Sequence, residues 1–263
     1  MGRQQIIVVV IAVIAVCILY QLPRVVVENE GVTSMGAHEL SISTKDEAVF
    51  SSLIQLLNNT TEIKKSINFA DSLASLYLKY QMLDSAVEYA NVILAIDSSR
   101  LAKFTGALIY YKAFQSTNDP QEAKKLAATA AKHIEDLLVD DPQSSVLKNK
   151  LAMTLMVTDT PMAGVQLLRE ILEEDPENRE TILNLGLLAI RSRQFDRAIE
   201  RFETLISLDS SDSESRFYLG LSQVEAGDTL VGKATLKKVI GDMNINPALK
   251  ATVSSYLEEL ENI

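Results

Sequence analysis

Tryptophan is absent from the 263 residues, cysteine occurs once and histidine twice. A single cysteine, Cys17, excludes a disulfide framework. With only His38 and His133, no Cys/His set exists to hold a zinc ion. Glycine and proline are scarce, ten and six residues, which suits a helical chain. Neither a dinucleotide fingerprint nor a nucleophile elbow is present. No enzyme activity and no cofactor are therefore expected, because nothing supplies a nucleophile or a metal. Basic charge is also short. Of the 25 basic residues only Arg3 and Arg24 lie ahead of Glu28, so 23 face all 35 acidic ones, a net charge of −12 over that part. Such a surface repels phosphate backbones and argues against nucleic acid as a partner.

One stretch is conspicuously apolar. Residues 6–20 are fifteen apolar residues without a break, and Leu22 extends the run. At 1.5 Å per residue, residues 6–22 reach roughly 25 Å, slightly short of a ~30 Å hydrocarbon core. Residues 25–27 can lie in the interface while the Arg24 side chain snorkels. The run reads as a membrane helix or a signal sequence. Lipid attachment at Cys17 would need a small residue before it, where Val16 stands. Myristoylation of Gly2 would want Ser or Thr where Ile6 stands. No A-x-A-like cleavage site follows the run. An uncleaved single-pass anchor over residues 6–22 is expected, with residues 1–5 as a short tail. Arg3 and the α-amine favour a cytoplasmic N-terminus and a C-terminal domain across the membrane, periplasmic in a bacterial inner membrane.

Residues 23–44 are predominantly polar after the apolar triplet, without helical period, and read as a flexible tether. Thr44 and Glu47 have capping-box spacing and open a leading helix over residues 45–62. Asn58 and Asn59 each begin a glycosylation sequon, relevant only in a secretory lumen.

From residue 67 onward the chain repeats. In residues 179–212, Ile182, Leu185 and Ala189 step along one helical face, and Ala198, Phe202 and Leu205 along another. Residues 191–196 form a polar break between them. A shift of 34 carries Leu185 and Gly186 onto Leu219 and Gly220. The opposite shift finds Leu151, Ala152, Leu155, Gly164, Leu168, Ile171 and Pro176 in the same slots. Residues 67–100 fit through Leu73, Ala74, Tyr77, Ala86, Ala90 and Ile93. The unit resembles a tetratricopeptide repeat, a 34-residue helix–turn–helix module. Ser98 and Ser210 stand where that pattern has proline, and Ile171 and Leu205 where it has alanine. The resemblance implies an all-α fold: a right-handed α-solenoid of about five helix pairs over residues 67–246, with a core continuous between neighbours. The units are 67–100, an extended 101–144, 145–178, 179–212 and 213–246. Residues 247–263, with Leu249, Val253, Tyr256 and Leu260 on one stripe, form the capping helix.

Two features invite chemistry and have a plainer reading. His133 lies on the long helix of the extended unit, near Glu135 and Asp136, and reads as a surface or groove-edge residue. Gly227 through Ala234 has phosphate-loop spacing but lacks the final Ser or Thr, and it follows a helical period rather than a strand. In repeat phase Gly227 is a turn residue and Gly232 a packing residue.

What remains is a surface. In tetratricopeptide repeats the first helix of each unit lines a concave groove. Carried over, this implies Asp71, Thr105, Asn149, Leu183 and Phe217 at one register position. Ser75, Ile109, Met153, Leu187 and Leu221 occupy another. Met153, Leu183, Leu187, Phe217 and Leu221 are the candidate partner groove, suited to an amphipathic helix or an extended apolar segment. Their alternative use, packing against neighbouring helices, is open. Members that clamp a peptide carboxylate use Lys, Arg and Asn there, and only Asn149 and Lys112 fit. The layout of one N-terminal anchor followed by repeats resembles bacterial inner-membrane assembly factors. It implies an adaptor or scaffold for a protein or peptide partner. A scaffold that associates with itself as a homo-oligomer is the other reading.

Overall fold

A computed structural model describes residues 42–243 and 245–261. The short tail, the anchor over residues 6–22 and the tether up to residue 41 lie outside the described residues, as do Cys17 and His38. Among the described residues there are twelve helices and no strand. None of these helices is long and apolar enough to cross a membrane.

The leading helix α1 (Thr44–Asn59) is capped by Ser43, whose hydroxyl accepts from the Asp46 amide. This corrects the assignment of Thr44 as the cap by one residue. The Asp46 carboxylate is drawn away from capping: it accepts from Lys79 Nζ at 2.5 Å and from the Tyr80 hydroxyl at 2.6 Å. Together with Phe50, whose ring centroid lies 4.7 Å from that of Tyr77, this pair docks α1 on the next helix.

Five helix pairs follow: α2 (Ile63–Lys79) with α3 (Leu83–Ile96), α4 (Arg100–Ser116) with α5 (Pro120–Asp140), and α6 (Ser145–Leu155) with α7 (Pro161–Glu174). Then come α8 (Arg179–Arg191) with α9 (Phe195–Leu208), and α10 (Ser213–Glu225) with α11 (Thr229–Ile240). Each pair is in intimate contact, and α12 (Pro247–Glu261) closes the stack on α11. Side-chain caps start the first helices at regular intervals: Ser99, Ser144, Asn178 and Asp212 each accept from an amide three residues on. Satisfying an orphan amide this way is worth roughly 1 kcal/mol per helix.

Three inter-helix turns share one geometry. Gln81 and Arg193 have φ of 57° and Gly227 has φ of 102°. In each turn the following amide reaches back to the third-last helical carbonyl: Met82 to Tyr77, Gln194 to Ala189, Asp228 to Gln223. This is the Schellman arrangement, in which one left-handed residue satisfies two orphan carbonyls and reverses the chain.

Small residues set the pair spacing. A Cβ on Gly164 would sit 2.4 Å from the Ala152 carbonyl oxygen, and one on Gly232 would sit 2.7 Å from that of Gly220. Backbones so close admit nothing larger than hydrogen. Ala86 and Ala198, in the corresponding slots, are fully buried.

Helix α4 begins at Arg100, because only Asp97, Ser98 and Ser99 separate it from α3. One expectation needs correcting here: Ile109 of α4 is buried rather than lining a groove. The most deeply buried apolar residues form a large group over α2–α6 and smaller groups on either side, and half-buried residues such as Tyr77 and Leu167 each pack against two of these groups. Between α6 and α8 the contact is polar. Asn149 Nδ2 donates to Ser145 O at 3.1 Å and to Thr181 Oγ1 at 2.9 Å. Its Oδ1 accepts from Asn184 Nδ2 at 3.1 Å. Asn149 is thus buried and fully engaged, which removes it as a carboxylate clamp.

Candidate functional site

The five groove residues are all half-buried, and they divide among different packing groups. Met153 packs against the large group, Leu183 and Leu187 against the Phe202 group, and Phe217 against the Leu236 group. Leu221 is half-buried outside these groups. The face of α4, α6 and α8 ahead of them carries charge. Lys150 Nζ stands 5.2 Å above the Tyr111 ring and 3.4 Å from Glu180 Oε1. Burial, helped by Glu180, pushes the Tyr111 hydroxyl up to about 12, so it stays protonated.

Phe217 is the member of the five that opens onto a cavity, of about 690 Å³, between α10 and α12. Leu249 and Ile245 supply its other apolar wall, and Glu214 and Asp242 stand at its edge. An aromatic ladder leads from it into the core. The Phe217 and Tyr218 ring centroids are 5.2 Å apart, and Tyr218 stacks on Phe202 at 5.4 Å. Burial raises the Tyr218 hydroxyl pKa, and Glu214 adds to it. The aromatic wall is therefore neutral, and carboxylates stand beside it in the lining.

A second cleft, of about 840 Å³, is lined by none of the five groove residues. It opens between α7 and α9, with α8 and the end of α6 also contributing to its lining, and α7 and α8 touch far less than α5 and α6 or α9 and α10 do. Met156, Leu172, Leu185 and Leu188 form the floor, and Arg169, Arg191, Arg197 and Arg201 stand among its lining. Sequence reasoning missed it. The available signal was the clustering of Arg191, Arg193, Arg197 and Arg201 in an acidic chain, but the cleft depends on how far α7 stands off.

The two motifs with a chemical look resolve structurally. Gly227 is the left-handed turn residue, and Lys233 Nζ donates to Leu260 O at 2.6 Å in the capping helix. His133 is half-buried and stacks on Tyr110 at 5.7 Å. Burial lowers its pKa, which Asp136 opposes and Lys132 reinforces. Among the described residues no cluster of His, Cys, Asp and Glu is arranged to hold a metal.

No protein-family model matches the chain, and no curated protein does. Among solved structures, a tetratricopeptide repeat protein from Parabacteroides merdae matches with a TM-score of 0.55 at 16% identity. That match covers 82% of this chain and 83% of the other. YrrB, described as a TPR protein with an unusual peptide-binding site, matches at 20% identity and a TM-score of 0.42, over 78% of this chain and 97% of its own. MamA matches at 16% identity and 0.42, over 68% and 92%. The Parabacteroides likeness shows the fold, a stack of tetratricopeptide helix pairs, and at this identity it shows the fold alone.

Proposed function

We propose that this protein is a membrane-anchored adaptor that holds a protein or peptide segment on the first-helix face of its repeats. Residues 6–22 anchor it as a single-pass protein of a bacterial inner membrane, residues 23–44 tether it, and the repeat domain stands on the periplasmic side. Its role is to assist assembly of a membrane or exported protein complex. The observation that carries the reading is the cavity beside Phe217. A half-buried aromatic side chain that opens onto a cavity of about 690 Å³, with Ile245 and Leu249 opposite it, suits an apolar anchor from a partner. Leu221 on α10, with Met153, Leu183 and Leu187 on the preceding first helices, extends the same face and defines the path of the bound segment.

The test uses a photo-crosslinker at Thr252, on the opposite wall, in native membranes. A defined partner band is expected, identified by mass spectrometry. It should disappear with Ala248→Trp, which fills the cavity from an exposed position on α12. Phe217→Glu should also abolish capture, with the helical signal retained. A band that survives the filled cavity would place the partner elsewhere. Bands consisting only of this chain would make the protein a self-associating scaffold.

A further inference from the structure

The cleft between α7 and α9 carries charge opposite to that of the molecule. The chain has a net charge of −10, yet four arginines line this one cleft: Arg169, Arg191, Arg197 and Arg201. Glu173 and Glu200 are the carboxylates among them, which leaves the lining positive. Among the described residues none of the four arginines makes an ion pair, whereas Arg100 and Arg179 do, with Asp141 and Asp212. Arg197 donates to Gln194 Oε1 at 2.6 Å, which holds it at the rim. Guanidinium groups offer planar forks that match carboxylates two bonds at a time. Beneath them the floor of Met156, Leu172, Leu185 and Leu188 is apolar, and Met162 at the mouth is 66% exposed.

An apolar floor under unpaired arginines selects a ligand with both features. We infer that this cleft is a second docking site, separate from the Phe217 cavity, for an acidic peptide segment of a partner protein. The segment lays leucine-like side chains on the floor and its carboxylates against Arg169, Arg191 and Arg201. Charge complementarity supplies the argument for this occupant: in a chain of net charge −10 this cleft is lined by four arginines against two glutamates, so it both attracts and positions acidic segments.

The experiment measures fluorescence anisotropy of a short labelled peptide of leucine and glutamate. Its leucine–glutamine twin serves as the control, with the full-length protein in phosphatidylcholine nanodiscs. The glutamate peptide should bind about tenfold more tightly than the twin, and the difference should shrink at high salt. Arg169→Glu with Arg191→Glu, both at exposed positions, should abolish that preference and favour a leucine–lysine peptide. Arg191→Gln alone should weaken it partially. Ala248→Trp should leave it unchanged, which separates this site from the Phe217 cavity. Equal binding of the two peptides, or indifference to the arginine changes, would overturn the inference. So would arginine-dependent capture of phosphatidylglycerol vesicles in preference to peptide, or salt-sensitive self-association that consumes the cleft.

Discussion

Ala198 is fully buried in the apolar group that joins α8 to α9, beside Ile182 and Phe202. Its slot is held by Gly164 and Gly232 in neighbouring units, where the backbones leave no room for a Cβ. Ala198→Phe is expected to destabilise the repeat domain by about 1–3 kcal/mol or more, read as a lowered unfolding midpoint. Asp212 shows how one residue can serve three purposes. It caps α10 through the Ser215 amide at 2.9 Å, bonds the Ser215 hydroxyl at 2.7 Å, and pairs with Arg179 at 2.5 Å. Burial works against its charge, yet the bonds from Ser215 and Arg179 hold its carboxyl below the usual carboxylate range. The folded pKa lies below the unfolded one, so the stability it contributes is present above the ordinary carboxylate pKa. That contribution is lost as the pH falls through the folded value. Asp212→Asn keeps a good cap but no charge. Thermal melts should place the variant below the parent at neutral pH, with the gap closing as the pH drops below about 4.

At the scale of elements, the capping helix has the clearest consequence. Val253 and Leu257 of α12 are buried against Leu236 and Val239 of α11, and Lys233 ties the two helices through Leu260 O. Removing residues 247–263 exposes that group to water. Hydrogen exchange should then show α11 losing protection first and α10 next, while α2–α5 stay protected. Their apolar group is separate from this one, and nearest-neighbour stabilisation in a stack confines the damage to adjacent helices. The sparse α7–α8 junction belongs to the same scale. There the packing that usually joins successive units gives way to a cleft, and the polar contact of Asn149 with Thr181 joins α6 to α8 instead.

For the whole molecule the arrangement across the membrane governs which partners are reachable. The proposed anchor has Arg3 and the α-amine at its short end. A reporter active only in the periplasm, fused after Ile263, is expected to be active, and a cytoplasm-only reporter at the same point silent. The reverse pattern would turn both binding faces toward cytosolic partners. The net negative charge acts at this scale too: it weakens the attraction of anionic partners at low salt, against which the arginines of the cleft act locally.

Periodicity of apolar residues was enough to determine the helix pairs, since a 34-residue recurrence of Leu, Gly and Ala specifies which faces must be buried. The packing slots at Ala86, Gly164, Ala198 and Gly232, the terminal helix and the structural reading of Gly227 and Gly232 follow from that pattern alone. The left-handed turns at Gln81 and Arg193 were not legible. Neither residue type signals a positive φ, and only the reach of the next amide to a helix carbonyl imposes it. The burial of Ile109 was hidden as well, because the apolar spacing along its helix looks the same as that of a groove-lining position. Burial of Asn149 depends on partners 29 to 35 residues away. Whether Phe217 meets a cavity or a neighbour depends on how α12 sits against α10, and the arginine cleft exists only because α7 stands off from α8. Local pattern chooses the helices and their buried faces. The distances between helices, which open or close every candidate site, come from contacts that no single segment contains.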